Sequence, residues 1–407
     1  MANVYDILER RGFVEQVSDK EGLRAALEES ITCYIGYDPS ASSLHVGNLF
    51  TIMALAHMQR QGHRPIAIVG GGTGMIGDPS GRTEMRQMLT KEEIEANLQA
   101  IKEQIGQVVD FSEERALILN NAEWLAPLKY IEFLRDIGRY FSVNRMLASE
   151  AYRSRMETGL SFIEFNYQIL QAYDFLHLYQ EYGCILQMGG NDQWGNILAG
   201  VDLIRRVEGG EAYALTFPLL TTASGAKMGK TAEGAVWLDA ERLSPYEFYQ
   251  FWINTADADV ERFLKIYTFL PLNRIEELAS AEGAEMQEAK EVLAYEVTRL
   301  IHGEREAKAA REASRRLFSG GVAGDTVPST QVEEERLKQG IPVPNLFDEV
   351  GLADSRSQAR RLIEQGGAYV NDERISSVEC MVTLDDLQEG SVLLRAGKKR
   401  YHRVIPA

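Results

Sequence analysis

Short apolar runs alternate with helical patterns through the first half of the chain. Residues 33–37 (CYIGY) and 66–70 (IAIVG) predict buried strands, because both are flanked by Gly or Pro. Residues 47–61 between them have apolar positions at helical spacing, which predicts a strand–helix–strand unit of a parallel sheet. A further strand is predicted at 184–188 (CILQM), followed by a loop and a helix. We therefore expect residues 1–218 to form a Rossmann-like, doubly wound α/β domain.

The pattern changes in the second half. Residues 219–320 combine a Gly/Ser/Thr-rich loop with long stretches of helical spacing and mixed charge, which predicts an α-helical domain. Residues 321–345 are rich in Gly, Pro, Ser and Thr, a composition typical of a linker. A small α+β domain is predicted at 346–407, where a helix precedes a Gly turn and a short strand.

Composition narrows the class of protein. A chain of 407 residues is long enough for two or three domains. It has no apolar run long enough to span a membrane, and its start reads as a helix rather than as a targeting peptide. The three cysteines (Cys33, Cys184 and Cys380) have no metal-type spacing, so we expect no metal site and a reduced, cytoplasmic protein. The net charge of −17 argues against a general nucleic-acid coat but allows a local basic patch.

The glycine-rich stretch 72–77 fits the dinucleotide fingerprint G-x-G-x-x-G. Its context is poor, because Asp78-Pro79 follows at once and the next residues do not continue a helix. An NAD-dependent oxidoreductase is therefore kept as an alternative that rests on this match alone, and an ordinary loop capped by Asp78 is another.

Two segments have residues suited to phosphate. In SLHVGNLF, His45 adds a donor at the start of a helix, where unpaired N–H groups attract anions, and Gly47 allows close approach to the backbone. In SGAKMGKT, Lys227, Lys230 and Thr231 present two ammonium groups and a hydroxyl, which suits a departing polyphosphate. A solvated surface turn is the alternative for the second segment.

A third set of residues suits a small polar ligand. Tyr167, Gln171 and Asp174 are spaced by four and three, so they form one stripe on a helix whose other positions are apolar. Tyr34 and Gly36 share one face of the predicted strand, which leaves room beside the tyrosine. A solvent-facing stripe and an ordinary core tyrosine are the alternatives.

The order of these segments carries a resemblance. His45-Val46-Gly47-Asn48 and Lys227-Met228-Gly229-Lys230-Thr231 resemble the HIGH and KMSKS signatures of class I aminoacyl-tRNA synthetases. The stretches GYDPSASSLHVGN, GGGTGMIGDPSG, FNYQILQAYDF, MGGNDQWGN and SPYEFYQFWIN are similar to those of bacterial-type tyrosyl-tRNA synthetases, over essentially the whole chain. The departures are Asn48, which replaces the second His of HIGH, and Gly229 and Thr231, which replace the serines of KMSKS.

The resemblance implies L-tyrosine, ATP and tRNA(Tyr) as substrates, with Mg²⁺ on the ATP phosphates. It implies that the phenol hydroxyl meets Tyr34 and Asp174, and that the ammonium meets Asp78, Tyr167 and Gln171, with Gln193 near the carboxylate. The residues implied for ATP are Gly36, Asp38, His45, Gly47, Asn48, Thr51, Gly190, Asp192 and Lys230. The residues implied for the reacting phosphates are Ser40, His45, Arg82, Arg86, Lys227, Lys230 and Thr231.

Basic residues cluster in the last predicted domain. Arg356, Arg360 and Arg361 fall on one predicted helix, and Lys398, Lys399 and Arg400 form a second basic cluster. This pattern resembles the ribosomal-protein-type RNA-binding module at the end of these synthetases, where basic side chains meet phosphates. A solvated helix with ordinary arginines is the alternative.

Three classes of function are therefore compared: a tyrosine-activating ligase, the oxidoreductase, and an RNA-binding protein without catalysis. Among the ligases, the tryptophan enzyme is the nearest alternative, and the pair of Tyr34 and Asp174 favours a phenol over an indole. The resemblance also implies a homodimer, for which the apolar-rich region 127–165 is a plausible interface.

Overall fold

The computed structural model describes residues 3–39, 41–80, 90–149, 152–153, 155–156, 159–231, 234–280, 283–318, 327–371, 373–388, 390–397 and 400–407, with the backbone alone at 91, 230–231, 284 and 317–318. The chain divides into two compact units. The first comprises Met1–Arg242 and Ala256–Glu282, and the second comprises Leu243–Thr255 and Gly283–Ala407. No helix among the described residues is long and apolar enough to cross a membrane.

A six-stranded sheet lies at the centre of the first unit, in the order β1-β6-β5-β2-β3-β4. Neighbouring strands from β2 to β6 are parallel, and β1 is antiparallel to β6. The three strands expected from the apolar runs are confirmed as β2, β3 and β5. The strands are β1 (Gln16–Val17), β2 (Thr32–Tyr37), β3 (Arg64–Val69), β4 (Leu117–Asn120), β5 (Cys184–Gly190) and β6 (Tyr213–Phe217), followed by a hairpin of β7 (Lys230–Thr231) and β8 (Gly234–Ala235).

Helices connect the strands of this sheet, as the alternating pattern predicts. They are α1 (Val4–Arg11), α2 (Lys20–Ala26), α3 (Val46–Arg60), α4 (Lys91–Gly106), α5 (Ala122–Leu125), α6 (Tyr130–Asp136), α7 (Val143–Leu147), α8 (Phe162–Tyr182) and α9 (Trp194–Val207). The strand order reverses between β2 and β5. Ligands of doubly wound sheets bind at such a switch point, outside the carboxyl ends of the strands.

The helices after the hairpin divide between the two units. They are α10 (Pro245–Ile253), α11 (Asp257–Tyr267) and α12 (Leu272–Ala279). Although the sequence predicts one helical domain over 219–320, α11 and α12 belong to the first unit. Side-chain bonds to distant backbone explain this difference. The buried Tyr267 hydroxyl donates to the Val46 carbonyl at 3.0 Å, and the Arg11 guanidinium donates to the Thr268 carbonyl at 2.9 Å.

The second unit joins helices to a small sheet. Phe248 on α10 contacts His302 edge-on at 4.8 Å between ring centroids, which packs α10 against the long α13 (Ala284–Phe318). The sheet has five strands, in the order β12-β11-β14-β15-β9. The remaining elements are β9 (Ser329–Val332), α14 (Glu334–Gln339), β10 (Ile341–Pro342), α15 (Val343–Glu349), α16 (Arg356–Glu364), β11 (Ala368–Val370), β12 (Glu373–Arg374), β13 (Met381–Val382), β14 (Val392–Ala396) and β15 (Arg400–Pro406).

The stretch that composition indicates as a linker, 321–345, differs from this expectation over its described part. Residues 327–345 contain β9, α14 and β10, and β9 pairs in parallel with β15. Val332 and Leu337 are buried in the core of this unit. The few apolar residues of this segment therefore contribute to the core. Its content of Gly and Pro alone does not reveal this.

Candidate active site

A cavity of about 1180 Å³ opens at the switch point between β2 and β5. It is lined by all the residues with described side chains that the sequence predicts for tyrosine, ATP or the reacting phosphates: Tyr34, Gly36, Asp38, His45, Gly47, Asn48, Thr51, Asp78, Tyr167, Gln171, Asp174, Gly190, Asp192, Gln193 and Lys227. Ser40, Arg82 and Arg86 lie outside the described residues, as do the side chains of Lys230 and Thr231.

A buried carboxylate and a buried hydroxyl lie at one end of the cavity. Asp174 is 4% exposed, and its two carboxylate oxygens accept bonds from Asn121 Nδ2 at 2.9 Å and Trp124 Nε1 at 2.7 Å. Burial raises the pKa of Asp174 to about 7, although both donors act to lower it. The Tyr34 hydroxyl is buried and has no hydrogen-bond partner among the described residues. Burial, and secondarily Asp174, also raises the pKa of Tyr34.

Asn121 holds this end of the cavity together. Its Nδ2 donates to Thr73 Oγ1 at 2.9 Å as well as to Asp174, and its Oδ1 accepts from the Gly72 amide at 2.8 Å. The glycine-rich loop is thereby tied to the carboxylate of α8. Thr73–Met75 form a single 3-10 turn rather than the helix of a dinucleotide fold.

The predicted helical stripe faces the cavity. Tyr167, Gln171 and Asp174 lie on α8, and all three line it. The Gln171 Oε1 atom is buried without a hydrogen-bond partner in the described part of the chain. Such a buried acceptor costs free energy unless a ligand donates to it.

A second carboxylate, that of Asp78, lines the cavity from the loop after β3. Asp78 accepts bonds from the Ser80 amide at 2.9 Å and from Gln193 Nε2 at 2.6 Å. Burial, and then the charge of Asp38, raises its pKa to about 6. Gln193 therefore bonds to Asp78, and its Oε1 also accepts from Asn196 at 3.2 Å.

His45 begins α3 as its N-cap. Its Nδ1 accepts from the Gly47 amide at 3.0 Å, and its own backbone N–H donates to Asn48 Oδ1 at 3.1 Å. Asn48, the departure from HIGH, thus completes a capping box. Thr51 Oγ1 lies 2.8 Å from the Asn48 carbonyl and 3.4 Å from Tyr37 Oη.

The lysine-bearing loop packs directly on this helix start. Gly229 has φ of +85°, and a Cβ there would lie 2.9 Å from Gly47 N and 3.1 Å from His45 Nδ1. A Cβ on Gly47 would lie 2.8 Å from the imidazole. Glycine at both positions therefore permits the contact, which gives the replacement of serine by Gly229 a physical reason.

Gly36 leaves open space on the β2 side of the cavity. A Cβ at this position would meet no protein atom within 4 Å. Packing within the described part of the protein therefore does not require glycine at position 36. The space beside it is available to a ligand.

The sequence reasoning missed Asn121 and Gln187, which line the cavity, and Trp124, which donates to Asp174. Gln187 on β5 is the register partner of Tyr34, and its Oε1 is buried without a partner among the described residues. Two consecutive asparagines, Asn120 and Asn121, follow the apolar residues 117–119. This is the one local pattern from which Asn121 could have been predicted as a site residue. The contacts of Trp124 and Gln187 are long-range and leave no local pattern.

The predicted basic cluster lies in the second unit. Arg356, Arg360 and Arg361 are exposed on α16, and Arg356 Nε is 3.6 Å from a carboxylate oxygen of Asp348. Arg400 is half-buried on β15. Lys398 and Lys399 lie outside the described residues.

Residues 26–319 match the family model for class I tRNA synthetases (W and Y), and residues 321–404 match the tyrosine–tRNA ligase SYY-like C-terminal domain. The chain is 55% identical to the tyrosine–tRNA ligase of Desulfatibacillum aliphaticivorans over 99% of this chain and 98% of the other. It is 53% identical to that of Clostridium botulinum (strain Loch Maree / Type A3) over the full length of both.

Solved structures agree. The C-terminally truncated mitochondrial tyrosyl-tRNA synthetase of Aspergillus nidulans is 32% identical, with a TM-score of 0.71, over 78% of this chain and 95% of that one. The corresponding enzyme of Coccidioides posadasii is 31% identical, with a TM-score of 0.67, over 77% and 92%. The oxidoreductase alternative is therefore wrong, and so is the alternative of an RNA-binding protein without catalysis. The chain belongs to the tyrosine–tRNA ligases, within the class I tRNA synthetases for tryptophan and tyrosine.

Proposed function

We propose that the chain activates L-tyrosine with ATP and transfers it to tRNA(Tyr) in the cavity at the β2–β5 switch point. The tyrosine carboxylate attacks the α-phosphate of ATP, which gives tyrosyl-adenylate and pyrophosphate. A ribose hydroxyl at the 3′ end of the tRNA then takes the tyrosyl group and releases AMP. The observation that carries the assignment is the buried pair of Asp174 and Tyr34.

This pair suits a phenol. The phenol hydroxyl would donate to the Asp174 carboxylate and accept from the Tyr34 hydroxyl, which has no other partner among the described residues. Phenylalanine would leave both groups buried and unpaired, which is costly. An indole N–H could donate to Asp174 but would offer Tyr34 no acceptor, so the tryptophan alternative fits less well.

The amino end of the substrate would lie near Asp78, Tyr167 and Gln171. The Asp78 carboxylate supplies the negative charge. The Gln171 Oε1 atom, which has no hydrogen-bond partner among the described residues, supplies an acceptor for the ammonium. Gln193 is held against Asp78, and we assign it to the carboxylate side of the substrate.

The first step needs no general base, because the attacking carboxylate is already ionised. The protein has to align the reactants and stabilise charge on the phosphates. We assign this stabilisation to His45 with Ser40 at the α-phosphate, and to Lys227, Lys230 and Thr231 at the leaving pyrophosphate. Arg82 and Arg86 are assigned there as well. Mg²⁺, bound to the ATP phosphates, would neutralise further charge.

The adenosine would lie between the start of α3 and the end of β5. We assign Gly47 and Gly190, which line the cavity, to this part of the site, and the open space at Gly36 accommodates ligand atoms. We assign the ribose hydroxyls to Asp192 and Asn48, and contacts with ATP to Asp38 and Thr51.

The second unit is assigned to tRNA. Arg356, Arg360, Arg361, Lys398, Lys399 and Arg400 would contact phosphates, where basic side chains supply most of the affinity. We place the reaction in the cytoplasm, where the three free cysteines stay reduced.

We also propose a homodimer. Within the region 127–165, large apolar side chains are exposed on α6, α7 and the start of α8. The most exposed are Tyr130 (58%), Ile131 (74%), Val143 (55%), Met156 (55%) and Phe162 (68%). Exposed large apolar side chains are typical of an interface, and a second copy of the chain is the partner that the family resemblance implies.

The variant Asp174→Ala tests the assignment of the phenol site. It removes the acceptor for the phenol, so tyrosine-dependent ATP–pyrophosphate exchange should fall by about a hundredfold or more. Asp202→Ala on α9 is the control, and it should keep normal exchange. Near-normal exchange by a folded Asp174→Ala variant would refute the assignment.

The variant Trp124→Phe tests the ionisation of Asp174. The folded carboxyl has a pKa of about 7, so kcat/KM for tyrosine should rise as pH increases through this value and the carboxylate becomes able to accept from the phenol. Loss of the Trp124 donor should move this inflection to higher pH by about half a unit to one unit. Asp174→Asn should remove it. An inflection unmoved in Trp124→Phe would contradict the assignment to Asp174.

The double variant Arg360→Glu/Arg361→Glu tests the RNA surface. Pyrophosphate exchange should stay normal, whereas tRNA charging should fall about tenfold or more and depend less on salt. Arg274→Glu on α12 is the matched charge reversal in the first unit and should spare both reactions. Equal charging by all three proteins would refute the proposed role.

The variant Phe162→Glu tests the dimer. Sedimentation should give twice the 45.6 kDa chain mass for the unmodified protein and a larger monomer fraction for the variant, because a charge is costly in an apolar interface. Met381→Glu, which changes an exposed methionine of the second unit, should leave the mass unchanged. A monomeric unmodified protein would overturn the proposal.

A further inference from the structure

A cation–π contact lies on the wall of the cavity, beside the helix start that begins with His45. Trp237 lines the cavity, and the Arg242 guanidinium carbon lies 3.7 Å from the centroid of its ring. Arg242 also donates through Nη1 to Ser42 Oγ at 3.2 Å. A turn in which the Arg242 amide donates to the Asp239 carbonyl at 3.2 Å brings the side chain back over the indole.

The strand segment that carries Trp237 pairs with the backbone around His45. Trp237 and His45 form an antiparallel bridge. On either side of it, the Val46 amide donates to the Val236 carbonyl at 3.0 Å and the Leu238 amide donates to the Leu44 carbonyl at 2.9 Å. Arg242 therefore connects this segment to Ser42, in the loop that leads to His45.

The same segment fixes the end of the lysine-bearing loop. The Val236 amide donates to the Gly229 carbonyl at 3.0 Å, and the Met228 amide donates to the Leu220 carbonyl at 2.9 Å. Lys227 is the bridge partner of Thr221. The position of Lys227 relative to His45 thus depends on the pairing of residues 236–238 with 44–46.

We propose that Arg242 is a positioning residue for adenylate formation, which acts by holding Trp237 and its strand segment against the His45 segment. The inference rests on the roles proposed above for His45 and Lys227. Arg242 is exposed, and its contacts in the described part of the chain are the Trp237 ring, Ser42 and its own turn. Arg242 has no carboxylate partner among the described residues. A substitution of Arg242 should therefore act mainly through its contacts with Trp237 and Ser42.

The variant Arg242→Met tests the proposal in the full chain. It keeps the length of the side chain but removes the charge that faces the indole. The rate constant for adenylate formation should fall about three- to fivefold, the size of an exposed cation–π contact, with KM for tyrosine unchanged. Transfer of tyrosine from preformed adenylate to tRNA should be unaffected. Arg242→Lys should recover at least half of the lost rate, because an ammonium also binds the face of an indole.

Arg60→Met is the matched control. Arg60 lies over the Phe269 ring at 4.3 Å, at the opposite end of α3 from His45. It should match Arg242→Met in thermal stability and keep the full rate. An equal loss in Arg60→Met, an equal loss in the transfer step, or no loss in Arg242→Met would each overturn the proposal. The variant His45→Ala separates the proposed role of His45 from that of Arg242. Normal adenylate formation by His45→Ala would refute the role of His45. Slow adenylate formation by His45→Ala together with a normal rate in Arg242→Met would refute only the positioning role of Arg242.

Discussion

The active site depends on the burial of one carboxylate. Asp174 lines the cavity and is buried, and its removal from water opposes its ionisation. The donors on Asn121 and Trp124 offset part of that cost, and the neighbouring Tyr34 hydroxyl stays without a partner among the described residues. An unpaired buried polar group costs about 1–3 kcal/mol, so a ligand that supplies both a donor and an acceptor gains affinity here.

The topology of the sheet brings the chemical groups together. β2 and β5 are neighbours although about 150 residues separate them, and their carboxyl ends meet where the strand order reverses. Asn121, after β4, then joins the glycine-rich loop to Asp174. Through these bonds, the loop that leads to Asp78 is fixed relative to the part of the cavity that holds Asp174.

Local periodicity predicted the parts of the site that lie within one element. The stripe of Tyr167, Gln171 and Asp174 follows from helical spacing, and the strand that holds Tyr34 follows from a short apolar run. Sequence reasoning could not find Trp124 and Gln187, because their relation to the site comes from tertiary packing. It assigned α11 and α12 to a separate domain for the same reason, since the contacts of Tyr267 and Arg11 cross long stretches of chain. Composition also obscured β9, whose partner β15 is more than 60 residues away.

Gly36 separates the demands of folding from those of catalysis. Because a Cβ there would lie within 4 Å of no atom of the described residues, a small side chain at this position would cause no steric clash within the protein. In the arrangement proposed for ATP, a side chain at this position would instead meet the bound substrate. Alanine at this position would therefore leave expression and heat resistance unchanged. A measurement of tyrosyl-tRNA formation would reveal its effect.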